Sequence, residues 1–175
     1  MKVRLGGMPK QRFYHGWLYN RFGITNEPKV SVKIDVHDTW SMDHSLAHIV
    51  VPMLKQLRDN THGAPMISYD DRPEHLVGTI PRPHSGDVDE YHFDAWQWAL
   101  SEMLFAFESK ILPWEDQFQS GVVDRHFISL DGGGAECVDG PNHTFKIDWE
   151  GRSAYQERIT NGFRLFGKYY ESLWD

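Results

Sequence analysis

The sequence predicts an α+β fold of one domain, residues 1–175, in which three main helices pack on a small antiparallel sheet. Three observations predict it: one stretch of alternating apolar and polar residues, three stretches with apolar residues at helical spacing, and a glycine-rich region between two strand-like pieces. A chain of 175 residues suits one domain and is long enough to bury a core.

Residues 30–36, VSVKIDV, alternate apolar with polar side chains. This period of two predicts a half-buried strand, because successive side chains of a strand point to opposite faces. We expect its apolar face to lie on the core. That face consists of Val30, Val32, Ile34 and Val36.

The first helix is predicted at about 42–59, with Ser41 as its N-cap and an apolar stripe along one face. The second is predicted at about 88–111, after a capping pair of Asp87 and Glu90. It is apolar around most of its circumference, so it is either central or buries one face against a second subunit. We therefore expect a homo-oligomer.

The third helix is predicted at about 152–173, starting with a capping box of Ser153 and Gln156. Gly162 and Gly167 lie inside it, and each costs about 1 kcal/mol relative to Ala. Such residues indicate either close backbone packing, which we favour, or room for a ligand.

Two regions lack a helical pattern. Residues 63–86 carry four prolines, which indicates a long ordered loop or a mobile flap. Residues 121–151 hold six glycines and two strand-like pieces, RHFISL and HTFKIDW. We interpret about 125–149 as a β-hairpin that joins strand 30–36 in the sheet.

Composition excludes several classes of function. A formal charge of −7 argues against binding to duplex nucleic acid, which relies on neutralising phosphates. Cys137 is the only cysteine, so no intrachain disulfide is expected and a reducing cytoplasm is the natural location. No apolar run approaches the ~20 residues of a membrane span, so we expect no membrane partner and a soluble protein that stays inside the cell.

Residues 34–48 bring together three histidines and three acids. His44 and His48 are four apart on the predicted first helix and could share a metal with nearby acids. The pattern matches no standard metal spacing, and Asp43 would favour the dipole of the first helical turn. No nucleophile has a defined base, so we expect no catalytic residue, metal or other cofactor.

Several segments also resemble a widespread family of small tailed-bacteriophage proteins, mostly of unknown function. The resemblance runs from about Lys10 to Asp175. It is carried by DTWSMD at 38–43, HGAP at 62–65, FDAWQWALSEMLFAFE at 93–108, WEDQFQSG at 114–121 and RLFGKYY at 164–170. It implies a phage-encoded protein acting in the cytoplasm of an infected bacterium, and it carries over no catalytic residues.

We therefore expect a non-catalytic phage accessory protein that binds and sequesters a small nucleotide-like host signalling molecule, and so opposes host defence. Aromatic rings would stack on the base, and cations would bind the phosphates. The alternative for each ring is packing in the core. The candidate ligand-binding residues are Arg12, Tyr14, His15, Trp17, Lys33, Trp40, His44, Arg72, Arg82, His84 and Arg164.

Two alternatives stay open. One is a metal-dependent phosphoester hydrolase that uses His44, His48 and nearby acids. The other is a component of the virion or a protein that binds a host protein.

Overall fold

The computed structural model describes residues 1–4, 21, 30–79 and 87–174. It confirms the α+β fold class, with three long helices and small antiparallel sheets. Contacts between residues divide the chain into two compact units, Met1–Leu46 and Ala47–Asp175.

In the first unit, strand β1 (Lys2–Arg4) pairs antiparallel with β2 (Ser31–Lys33). A short 3₁₀ helix follows at Val36–Thr39. The predicted strand is therefore shorter than expected, and its half-buried face is a wrong prediction. A ribbon of two short strands has little surface to pack against, and Val30, Val32, Ile34 and Val36 are all exposed.

Helix α1 (Met42–Asn60) begins in the first unit and continues in the second. The second unit also contains α2 (His92–Glu108) and α3 (Trp149–Lys168). All three helices were predicted, but α2 and α3 end earlier than expected. A 3₁₀ turn at Tyr170–Ser172 follows α3.

The predicted caps of α2 and α3 were wrong. Helix α2 starts after Tyr91, whose backbone N–H donates to the Asp89 carboxylate at 2.8 Å. Helix α3 starts after Asp148, whose carboxylate accepts from the Gly151 N–H at 3.0 Å. Ser153 lies inside α3, because the true cap is several residues earlier.

Helix α2 is central, as one of the two interpretations of its pattern predicted. Trp96, Leu100 and Met103 on α2 are fully buried, and they share a core with Leu165 of α3 and Leu54 of α1. Since these neighbours within the chain cover α2, its apolar surface no longer argues for a second subunit. The homo-oligomer stays a prediction.

The two glycines of α3 differ in their surroundings. A Cβ at Gly162 would collide with the backbone carbonyl of Glu102 and lie 2.6 Å from the Cβ of Ala106. At Gly167 a Cβ would meet nothing within 4 Å. Close packing therefore explains Gly162, where α2 and α3 approach each other, and does not explain Gly167.

The remaining strands of the second unit form two ribbons. Strand β3 (Gln119–Ser120) pairs with β6 (Lys146–Ile147), and β4 (Arg125–Ser129) forms a hairpin with β5 (Ala135–Asp139). A hairpin that starts with RHFISL was predicted, but its second strand is Ala135–Asp139 and not HTFKIDW, whose Lys146–Ile147 pairs with β3. The predicted union of the hairpin with strand 30–36 in one sheet was also wrong: among the described strands, β2 pairs with β1 alone.

The proline-rich loop is ordered where the structure describes it, up to residue 79. It contains 3₁₀ turns at Tyr69–Asp71 and Glu74–Leu76 and buries Ile67 in the core. Residues 80–86 of the predicted flap lie outside the described part of the chain.

Candidate functional site

The candidate ligand-binding residues fall into three groups. Lys33, Trp40 and His44 belong to the first unit, whereas Arg72 and Arg164 belong to the second. The other six candidates lie outside the described residues: Arg12, Tyr14, His15, Trp17, Arg82 and His84.

Arg72 is part of the scaffold of the second unit, which corrects its predicted role in ligand binding. Its guanidinium donates to the Asp89 carboxylate at 2.7 Å and to the Ile67 carbonyl at 3.1 Å, and both charged side chains are fully buried. It also lies over the Tyr69 ring, 4.5 Å from the centroid. Because this side chain is enclosed and paired, it offers no surface to a ligand.

Asp89, the partner of Arg72, is held ionised by its hydrogen bonds and by the Arg72 charge. Burial alone would raise the pKa of Asp89, but the neighbouring Tyr69 hydroxyl, the Arg72 guanidinium and the Tyr91 amide outweigh burial and lower it. Burial, followed by the Asp89 charge, raises the pKa of Tyr69. This cluster anchors the loop beside the start of α2.

Arg164 also has a structural partner. Its guanidinium donates to the Asp71 carboxylate at 2.6 Å, which additionally accepts from Lys168 at 2.6 Å and from the Tyr169 hydroxyl at 2.5 Å. Burial opposes ionisation of Asp71, but the bonds from Lys168, Tyr169 and Arg164 lower its pKa to about 2. The Tyr169 hydroxyl accepts from the Ser68 amide at 2.9 Å, so the network ties the loop to the end of α3.

The outer surface of α3 carries a shallow groove of about 340 Å³ next to Arg164. Its lining contains one carboxylate, no aromatic ring and no cation besides Arg164, so it lacks the stacking surface that a nucleotide base requires. The lining residues are Ser153, Gln156, Glu157, Thr160, Asn161 and Arg164.

The acids of the crowded stretch have a structural role in the first unit. The Asp35 amide donates to the Asp38 carboxylate at 2.8 Å, and the His37 amide donates to the Asp35 carboxylate at 3.0 Å. These reciprocal bonds form a capping box for the 3₁₀ helix Val36–Thr39. Two acids that suggested a metal site are therefore occupied in shaping the backbone.

Asp38 also connects this 3₁₀ helix to its neighbours. Its carboxylate accepts from the Met1 amino group at 2.7 Å, and its backbone carbonyl accepts from the Ser45 hydroxyl at 3.1 Å. The Met1 ammonium, followed by the Asp35 amide, lowers the pKa of Asp38. Residues 35–45, which we call the Trp40 segment, are thus held next to the start of β1.

Trp40 is the most exposed aromatic side chain among those described, at 79%. Its backbone N–H donates to the His37 carbonyl at 3.2 Å, and the His37 ring meets the indole edge to face, with centroids 4.7 Å apart. Core packing therefore does not explain this tryptophan.

Lys33 lies directly opposite Lys2 in the β1–β2 register, and both side chains are exposed. Among the residues that the structure describes, no carboxylate forms an ion pair with either lysine. The prediction included Lys33 but missed Lys2 as its partner. No local sequence signal could have found the pair, because the two lysines are 31 positions apart and are joined only by strand register.

His44 and His48 are exposed on the first turns of α1. Within residues 1–4, 21, 30–79 and 87–174, no group of three or more His, Cys, Asp or Glu side chains is placed to hold a metal ion. Glu102 of α2, a carboxylate outside this stretch, makes a two-point ion pair with Arg158 at 2.7 and 2.9 Å. The hydrolase alternative gains no support from these contacts.

Known proteins give no further guide to function. No model of a protein family matches the chain, and neither a curated protein nor a solved structure matches it. Among the described helices, none has the length and apolar character needed to cross a bilayer.

Proposed function

We propose that this chain is a non-catalytic binding protein that holds a small nucleotide-like ligand on the Trp40 segment and the β1–β2 ribbon. In keeping with the phage resemblance, the ligand is a host signalling molecule, and binding withholds it from its receptor in the cytoplasm of the infected cell. The observation that carries the proposal is Trp40, whose indole is 79% exposed on a segment braced by hydrogen bonds.

An indole is a large apolar surface, and burying it stabilises a protein in proportion to the area removed from water. Trp40 gives up most of that stabilisation in the unliganded chain. A base that stacks on one face would recover it, with roughly 1 to 3 kcal/mol per base expected from stacking. The T-shaped contact with the His37 ring restricts how Trp40 can turn, which lowers the entropy lost on binding.

The acids of the segment support binding without turnover. Asp35 and Asp38 accept hydrogen bonds from backbone amides, and Asp38 also pairs with an ammonium group. A general base needs a pKa near the working pH, whereas these contacts lower the pKa of Asp38. Asp38 is therefore a poor general base, and the segment offers a platform for stacking.

Titration calorimetry with a panel of cyclic nucleotides and ADP-ribose derivatives tests the proposal. At least one member should bind at micromolar concentration, and Trp40→Ala should weaken it about tenfold to a hundredfold. Trp149→Ala is the matched control, because Trp149 is also an exposed tryptophan and belongs to the second unit. Equal losses in both variants, or no binding by any member, would contradict the proposal.

The fate of the ligand separates sequestration from catalysis. The protein is incubated with bacterial lysate, reisolated and heat-denatured, and the released small molecules are identified by mass. Recovery of an intact nucleotide supports sequestration. Recovery of a cleaved nucleotide would replace it with an enzymatic function.

A second candidate, binding to a host or virion protein, is favoured by the β4–β5 hairpin. Phe127 is 76% exposed on β4, and the hairpin forms a sheet of two strands alone, so each strand has an open edge among the described strands. A strand or apolar surface of a partner protein could bind there. This candidate predicts that Phe127→Ser abolishes capture of one stoichiometric protein and that Trp40→Ala does not.

A further inference from the structure

We infer that the Lys2–Lys33 pair binds a phosphate group of the ligand, so that the ligand is a nucleotide bearing a doubly charged phosphate or a pyrophosphate. The inference rests on the proposed function and assigns a chemical class to its ligand. It is carried by the strand register, which is independent of the exposure of Trp40.

The register places the two lysines on the same face of the ribbon. Residues directly opposite each other in an antiparallel pair have Cβ atoms about 4.5–5.5 Å apart. The lysine side chain is flexible and ends in a compact ammonium group with three N–H donors. Both ammonium groups can therefore reach one anion from neighbouring positions.

Like charges directly opposite each other destabilise a strand pair. Neither strand contains an acid, since β1 is Lys-Val-Arg and β2 is Ser-Val-Lys. Neither strand therefore supplies a negative charge that would offset the repulsion between the two lysines. A dianion bound between the two ammonium groups would convert this repulsion into attraction.

The position of the pair suits a ligand that also stacks on Trp40. Lys2 follows Met1, whose amino group contacts the Asp38 carboxylate, and Trp40 is two residues beyond Asp38. Three Cα–Cα steps of about 3.8 Å, the contact between Met1 and Asp38 and the Asp38 side chain make a path of about 15–20 Å, which is an upper limit for the distance from Lys2 to Trp40. An extended nucleoside diphosphate falls within this limit, so one molecule can place its base on Trp40 and its phosphates on the lysines.

Titration calorimetry with three probes, adenosine, inorganic pyrophosphate and ADP-ribose, tests the inference. Lys33→Gln should abolish pyrophosphate binding and weaken ADP-ribose binding at least about tenfold, and it should leave adenosine binding unchanged. The ADP-ribose affinity of the unchanged protein should fall with added salt, and the variant should show a smaller dependence. Lys146→Gln is the control, because Lys146 is an exposed lysine on β6 and lies opposite Ser120.

The probes distinguish failure of the inference from failure of the proposed function. If Trp40→Ala weakens ADP-ribose and Lys33→Gln does not, the inference is wrong and the proposed function survives. A different outcome is that Lys33→Gln removes pyrophosphate binding, adenosine does not bind, and Trp40→Ala has no effect on ADP-ribose binding. The lysines would then bind phosphate, and the proposed stacking of a base on Trp40 would be wrong. An unfolding midpoint for Lys33→Gln equal to that of the unchanged protein ensures that lost binding does not reflect lost structure.

Discussion

Trp96 and Trp40 show how differently the two units use the same side chain. Trp96 is fully buried on α2, where it meets Tyr169 edge to face in the core of the second unit. Trp40 is 79% exposed in the first unit, and its segment is held by capping bonds and by Asp38. Trp96 thus stabilises the scaffold of the second unit, whereas Trp40 presents its ring to solvent.

The cations show the same contrast. Arg72 is buried and bonded to Asp89, and Arg164 is bonded to Asp71. Lys33 is exposed opposite another lysine and has no carboxylate partner among the described residues. We therefore take as candidates for ligand binding only those cations that the fold leaves without a carboxylate partner.

The largest effect should follow from breaking the buried ion pair of the scaffold. Arg72→Ala leaves the Asp89 carboxylate uncompensated in the core, and we expect the free energy of unfolding to fall by about 3–5 kcal/mol. Urea denaturation followed by circular dichroism measures this loss. Lys33→Ala is the matched control in the exposed ribbon, and its effect should stay within about 0.5 kcal/mol. Similar losses of unfolding free energy in the two variants would show that the buried, paired Arg72 and the exposed Lys33 do not differ in their structural role.

The helix crossing offers the next test. Gly162→Ala places a methyl group against the Glu102 carbonyl, so α2 and α3 must separate, and we expect a destabilisation of up to about 3 kcal/mol. Gly167→Ala has open space and should stabilise the helix by up to about 1 kcal/mol. A lower midpoint of thermal unfolding for Gly162→Ala and a higher one for Gly167→Ala would support close helix packing as the reason for Gly162. A stabilising Gly162→Ala would show that the two helices do not approach this closely.

Acid should weaken the loop anchor of the second unit. The folded-state pKa of Asp71 is about 2, below its ordinary value of 3.8, so its stabilising effect is complete above pH 4 and is lost as the pH falls towards 2. The difference corresponds to about 2 kcal/mol. Asp71→Asn should remove most of this dependence, which is measured as the free energy of unfolding between pH 5 and pH 2. An unchanged acid dependence in the variant would mean that other carboxylates dominate.

The smallest effect on stability should come from the exposed indole. Trp40→Ala removes a side chain that is mostly in water, and we expect the free energy of unfolding to change by less than about 0.5 kcal/mol. Thermal denaturation provides the measurement. A loss above about 2 kcal/mol would show that Trp40 packs against something and would withdraw it as a ligand platform.

The sequence predicted what local periodicity controls. Helical spacing located α1, α2 and α3 and identified α2 as either central or an interface, because an apolar stripe repeats within each helix. Period-two spacing in VSVKIDV identified a strand but not its burial, since alternation does not show whether another layer covers the apolar face. The cap of α3 was missed because Ser153 and Gln156 fit the capping-box pattern, whereas the true cap, Asp148, is followed three residues later by Gly151 and has no reciprocal Glu or Gln.

Features that depend on distant pairing could not be predicted. Arg72 was predicted as a ligand-binding residue. Its buried ion pair with Asp89 could not be predicted, because the two residues are 17 positions apart and no local pattern connects them. Lys2 was missed because its role depends on the register with Lys33. Trp40 and Lys33 were both predicted as ligand-binding residues. The structure adds that Lys33 is exposed and lies opposite the exposed Lys2.

Amide hydrogen exchange, with and without the tightest-binding nucleotide of the panel, tests whether the ligand binds to the Trp40 segment and the β1–β2 ribbon. We expect added protection in β1, β2 and the Trp40 segment, where the proposed ligand binds. We expect little change in α2 and α3, because these helices belong to the core of the second unit. Protection centred on α2, on α3 or on the β4–β5 hairpin, with none in residues 31–45, would contradict it.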